Sequence, residues 1–208
     1  MKKLLLSAVL VQSALLSAQS EPVSKKPENV IKANGVFLPA GILNAALEHQ
    51  LGEKYTLQGD VFISPWKSFF GRYLQVYSAG VEGRYYFTEA FDKWYMGANI
   101  SGIRFIMEKW NYWGDGTYQY KEGQPVYNVK DLYQDGFGFM LGATVGYQVP
   151  LSEHWKLDFF LTGGSVQTFY KGKHKTLPVR YDDEPGRTWN RSGEWLPYRG
   201  GIMIGYTL

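Results

Sequence analysis

Residues 136–147 alternate without interruption. Phe137, Phe139, Leu141, Ala143, Val145 and Tyr147 hold the odd positions, and Gly136, Gly138, Met140, Gly142, Thr144 and Gly146 the even ones. Side chains of a strand point in turn to opposite faces, so this segment has one greasy face and one of small or polar groups. Strand-length stretches of the same kind, closed by Gly and aromatic residues, recur from residue 30 to the last residue. The pattern is expected of strands with lipid on one side and a narrow interior on the other.

Composition agrees with that expectation. Aromatic residues make up 17% and there are 24 Gly, yet the mean hydropathy is negative. No run after the N-terminus approaches the ~18 apolar residues of a spanning helix. A membrane β-barrel reconciles these facts, because only alternate residues have to be apolar. A soluble β-sandwich or lipocalin-like barrel also alternates, but its greasy faces point inward and its outer faces carry charge. Here the non-greasy faces are mostly Gly, Thr, Asn and Gln. The net charge of +3 is small and dispersed, so nucleic acid is not an expected partner. With no cysteine, neither disulfides nor thiolate metal sites are expected.

Residues 1–20 read as an export signal. Lys2 and Lys3 precede an apolar stretch over 4–16, too short to span a bilayer comfortably, and the small residues Ser17-Ala18-Gln19-Ser20 follow. Residues 21–29 read as a short disordered leader and 30–208 as one β-barrel domain, located in the bacterial outer membrane.

Eight strands are predicted near 30–38, 42–51, 55–64, 73–87, 94–109, 136–150, 156–170 and 198–208. The connections at 52–54, 88–93 and 152–155 are tight, those at 65–72, 110–135 and 171–197 are long, and the one around Pro39-Ala40-Gly41 is short. This spacing predicts an all-β fold, an eight-stranded antiparallel up-and-down transmembrane β-barrel with both termini at its periplasmic end. Eight strands enclose room only for side chains, so the lumen is expected to be filled. Two aromatic girdles are expected. Tyr55, Phe87, Trp94, Tyr147, Trp155 and Tyr206 form the periplasmic one, and Phe37, Trp66, Tyr73, Trp110, Phe169 and Tyr198 the outer one. The final strand, with Ile202, Ile204, Tyr206 and Leu208 outward, looks like the C-terminal signal read by barrel assembly machinery, although that signal usually ends in an aromatic residue. The machinery, outer-membrane lipid and lipopolysaccharide are therefore expected partners of a monomeric barrel.

Several short motifs carry a resemblance. Lys32-x-Asn34 opens the first strand and Asn44 and Glu48 lie in the second. Glu82-Gly83-Arg84-Tyr85-Tyr86-Phe87 ends the fourth, and Gly146-Tyr147-x-x-Pro150-Leu151 leads into Leu157-Asp158. Together they are similar to the domain of unknown function 3575 family of small outer-membrane barrels. The resemblance implies an outer-membrane barrel and supplies no activity.

Facing the interior in this register are Lys32, Asn34, Glu48, Gln58, Asp60, Glu82, Arg84, Asn99, Gln148 and Asp158, with Arg104 and Arg199 nearer the outer end. A first hairpin turning about Ala40 puts Lys32 across from Glu48. A turn centred near Ala90 or Phe91 puts Glu82 across from Asn99. Four carboxylates then face only Lys32 and Arg84, so either one carboxyl is protonated or Arg104 and Arg199 reach down, because a charge held away from water needs a partner. A belt that packs the lumen has a structural role, whereas an open belt makes a narrow small-solute channel.

No metal-ligand spacing or cofactor motif is present. His49 falls on the lipid-facing register and His154 in a tight turn, while His174 lies in the last external loop near Thr168 and Thr176. Catalysis is not expected. An enzyme acting on lipid or glycan at the outer rim would need a nucleophile within reach of His174. The external loops carry the interface-forming residue types. Trp110, Tyr112, Trp113, Tyr118 and Tyr120 are expected to pack against the 171–197 segment with Arg180, Arg187, Trp189, Arg191 and Trp195. A structural or surface-interaction role through these loops, with an extracellular or surface protein as a further partner, is the expected function.

Overall fold

The computed structural model describes residues 28–109 and 113–208. The signal segment, residues 21–27 of the leader, Trp110 and Tyr112 lie outside them. Alternating aliphatic and aromatic side chains favour extended backbone, and ten strands form among the described residues. They are β1 (Asn29–Asn34), β2 (Leu43–Gln50), β3 (Tyr55–Phe69), β4 (Arg72–Tyr86), β5 (Lys93–Met107), β6 (Thr117–Gln119), β7 (Val126–Asn128), β8 (Leu132–Pro150), β9 (Trp155–His174) and β10 (Asn190–Thr207). Eight of them make one antiparallel sheet that closes on itself in the order β1, β10, β9, β8, β5, β4, β3, β2. Closure leaves no edge along the height that β1 spans, while β10 above Ile202 pairs with β9 alone. The remaining two, β6 and β7, pair as a small hairpin inside the connection from β5 to β8.

The eight strands of the ring and their order follow the sequence reading, but the β6–β7 hairpin falls in the stretch read as the 110–135 loop, and several boundaries are corrected. Residues 65–72 are not a long loop. β3 and β4 run on to a tight turn at Phe70 and Gly71, both at positive φ, where glycine carries no steric cost. β9 likewise continues to His174 and β10 begins at Asn190, which shortens the 171–197 loop to 175–189. Alternation fades in these extensions because the backbone ladder holds them whichever way their side chains are coloured. Glu28 and Asn29, read as the end of the leader, are tied into the ring. The Gln50 N–H donates to Glu28 O at 3.0 Å, and Asn29 Oδ1 lies 2.8 Å from His49 Nδ1.

The first hairpin turns through a short 3-10 segment at Leu38–Ala40, and Lys32 pairs with Ala46 instead of Glu48. The slip is two residues, so every side chain keeps its face. Glu82 does pair with Asn99. In β10 the register shifts between Pro197 and Arg199. Such a bulge re-aims side chains locally, and it turns both Tyr198 and Arg199 inward.

The distribution of side chains is the reverse of a water-soluble core. Outward rows hold Leu141 at 60% exposure, Leu161 at 56% and Ile100 at 55%, with Val81, Met96, Phe139 and Phe159 beside them. Inward positions hold Lys32, Glu48, Glu82 and Gln148 with no exposure at all. A small apolar cluster of Ala46, Tyr86, Tyr95, Phe160 and Met203 packs among them. Tyr55, Phe87, Trp94, Tyr147, Trp155 and Tyr206 form an aromatic band at the short-turn end, with ring pairs such as Trp94 and Tyr147 at 5.0 Å and Trp155 and Tyr206 at 5.0 Å. Phe37 does not join the band expected at the other end. It turns inward, edge-on to Phe62 at 5.7 Å.

Candidate functional site

All ten residues assigned to the interior near the short-turn end are buried there. Alternate positions of β1, β2, β3, β4, β5, β8 and β9 bring them together from around the ring. Lys32 Nζ donates to Asp158 Oδ2 at 2.6 Å and also contacts Glu48. Arg84 Nη1 bridges the same two carboxylates, 3.0 Å from Glu48 Oε2 and 2.8 Å from Asp158 Oδ2, while its Nε reaches Glu82 Oε1 at 2.6 Å. From Glu82 the chain of ion pairs continues to Arg199 and on to Asp60. Asn34 is apart from the ion pairs and donates to Asn44 Oδ1 at 3.1 Å.

Three cations face four carboxylates in this network, so neutral donors complete it. Thr56 and Tyr86 donate to Glu48 at 2.5 and 2.8 Å, Thr144 to Glu82 at 2.7 Å, and Tyr95 to Asp158 at 2.7 Å. The Tyr95 ring also lies 4.4 Å from the Arg84 guanidinium, a cation–π contact of about 0.5–2 kcal/mol. Tyr86, Tyr95, Thr56 and Thr144 were missed as members of this site. Their even spacing from Arg84, Asn99, Gln58 and Gln148 was the available signal.

Of the two reserve cations, Arg199 reaches down and Arg104 does not. Arg104 stands five residues from Asn99, an odd separation that puts it on the opposite face. There it donates to Gly136 O at 2.7 Å and pairs with Asp135. Below the belt, Phe91 closes the short-turn end, 3% exposed and at a positive φ of 68°. Its ring lies 6.1 Å from that of Tyr86, with Lys156 Nζ 5.0 Å over its face. A bulky residue stays in that backbone region only when its surroundings hold it. Above the belt a cavity of about 180 Å³ opens between Phe37, Phe62, Met140, Tyr198, Asp60 and Arg199.

A model of the family described as protein of unknown function (DUF3575) matches residues 4–208. The chain belongs to this family. No curated protein and no solved structure matches this DUF3575 protein.

The second cluster of the DUF3575 chain lies at its long-loop end. Val129, Leu132 and Tyr181 pack with Tyr118 and Tyr127 against them, the Tyr118 and Tyr181 rings 5.6 Å apart. Around this apolar centre Asn190 donates to Tyr120 Oη at 3.1 Å and to Asp182 Oδ2 at 2.9 Å, and Arg180 Nε donates to Asp182 Oδ1 at 2.7 Å. Lys121 and Arg187 flank Glu184 at 2.8 and 3.3 Å. The Lys121 hydrogen bond holds the Glu184 carboxyl below the ordinary carboxylate range. The β6–β7 hairpin is thus fastened to the 175–189 loop, as expected for Tyr118 and Tyr120.

Other loop expectations are corrected. Trp113 is exposed, and its carbonyl accepts from Arg72. Arg191 and Trp195 are strand residues on the outward face of β10, and Trp189 packs on Phe137 instead of on the hairpin. Glu108, not singled out from sequence, is buried between Arg72 at 3.0 Å and Lys175 at 2.7 Å. His174 is the last residue of β9. Its Nδ1 accepts the backbone N–H groups of Thr176 and Leu177, both at 3.2 Å, with Thr176 Oγ1 at 3.4 Å. That nitrogen ties the turn together. Among the described residues no three His, Cys, Asp or Glu side chains are grouped to hold a metal.

Proposed function

We propose that the protein is an outer-membrane β-barrel with a solid lumen, carrying a rigid platform beyond the membrane that serves a structural or surface-interaction role. The observation that carries this reading is the inverted side-chain distribution. Burying a Leu, Ile or Phe fully contributes roughly 1.5–3 kcal/mol, and a ring in water would forgo that along its whole outer wall. Lipid against the wall removes the loss, and the aromatic band at the short-turn end suits a membrane interface. The residues 1–20 fit export. The ten belt residues, between 0 and 7% exposed, support a plug over a small-solute channel. The His174 contacts favour a turn-tying role over the base of a rim enzyme.

The protein is expected to fractionate with outer membranes and to run faster on a gel unboiled than boiled. Recovery as a soluble periplasmic protein without detergent would sink the reading.

The platform is tested by replacing residues 114–130 with a short Gly-Ser turn. The cut stops there because Leu132 is fully buried in β8. The gel shift is expected to persist while surface binding and any associated growth phenotype disappear. A variant that matches the parent in every such assay would leave only the structural role.

A further inference from the structure

On the outward face of β8, β9 and β10, aromatic rings and cations meet where the aliphatic rows end. Phe137 pairs with Phe169 across two strands, their rings stacked at 5.6 Å, and Trp189 stands edge-on to Phe137 at 5.1 Å. Lys171 Nζ lies 4.6 Å over the Trp189 ring, and the Arg191 guanidinium lies 5.5 Å over Phe169. The carboxylate paired with Lys171 in register is Asp135, and it is already held by Arg104 and by Lys173 Nζ at 2.6 Å. Among the described residues, no carboxylate forms an ion pair with Lys171 or Arg191. A cleft of about 560 Å³ opens between Phe169, Trp189, Arg187 and Arg191. Toward the middle of the wall the same face continues on β8 as exposed Phe139 and Leu141, while on β9 Gln167 and Ser165 stand beside them in register.

Cations first, rings next and aliphatic rows beyond follow the order of parts in an acylated phosphate: charge, interface, chain. We infer that this face binds the phosphate group of an acyl lipid of the outer leaflet. Lys171 and Arg191 hold the phosphate oxygens, Arg191 through a planar fork suited to them, and the acyl chains lie along Phe139 and Leu141 on β8. The inference rests on the membrane reading above. Free phosphate would use the two cations and none of the aliphatic rows, so the two sources of the anion are separable.

The test titrates the protein, purified in detergent, with phosphorylated lipid A, dephosphorylated lipid A and inorganic phosphate, following binding by native mass spectrometry. The parent is expected to hold the phosphorylated lipid at least about tenfold more tightly than the dephosphorylated one, a difference of about 1.4 kcal/mol. The double variant Lys171→Gln, Arg191→Gln is expected to lose that preference. Lys67→Gln, which removes an exposed cation on β3, is expected to keep it, and inorganic phosphate at equal concentration is expected not to displace the lipid. Equal binding of both lipids by the parent, a preference that survives in the double variant, or displacement by inorganic phosphate would overturn the lipid site. The unboiled gel shift is recorded for each protein. Its absence in the parent counts against the membrane reading, whereas a normal shift without lipid preference counts against this site alone.

Discussion

Arg84→Met is expected to lower the unfolding free energy by about 3–5 kcal/mol, the cost of leaving buried charges without their partner. Arg84 touches Glu48, Glu82 and Asp158 together, each at most 2% exposed. Lys32 still reaches Glu48 and Asp158 in the variant, and Arg199 still reaches Glu82, but three carboxylates then share what remains. Urea unfolding in detergent or liposomes measures the loss. Single-channel conductance is expected to stay near that of the parent, because Tyr86, Tyr95, Gln148 and Phe91 still fill the interior. A stable variant that conducts as a large open pore would show the belt to be a gate.

Gly164→Val is expected to cost about 3 kcal/mol, at the upper end of ordinary overpacking. Strand propensity alone argues the opposite, since Val favours extended backbone and Gly weakens it. Gly164 pairs with Gly142, and a Cβ added to it would stand 2.5 Å from Gly142 Cα and closer still to Leu141 O. Backbone atoms of a neighbouring strand cannot swing aside as a side chain does. Gly83→Val is the control, because a Cβ there meets nothing within 4 Å. Its change is expected to stay within about 0.5 kcal/mol. Equal losses in the two variants would show that chain entropy, and not the close approach, decides the effect.

The two halves of the interior site differ in how they can be read. Inward residues are legible because a strand repeats every two residues. Once Arg84 is placed inward, Glu82 and Tyr86 follow, and Asp158 follows from its place in β9. The same rule puts Arg104 outside, five positions from Asn99, so that correction was available without a structure. Tyr198 differs, since the bulge between Pro197 and Arg199 breaks the alternation and sends two consecutive side chains inward. No period-two argument reaches it. The Lys32 and Glu48 contact survives a two-residue error in register, because a slip of two keeps both side chains on one face and long side chains span the diagonal.

By itself the sequence determined the order of the ring strands, the inward and outward faces wherever the alternation is unbroken, and the family, because each is set by spacing along one segment or by short motifs within it. Only the tertiary structure decided which charges meet. Lys32 reaches Asp158, Arg84 reaches Glu48, and Glu82 reaches Arg199 across strands that are not neighbours in the ring. Those contacts depend on closure of the sheet, on the tilt of every strand and on one bulge, and none of these quantities is carried by any local stretch of residues. The union of the β6–β7 hairpin with the 175–189 loop is of the same kind. Tyr118 and Tyr181 are far apart in the chain, and they meet because β8 and β9 rise side by side beneath them.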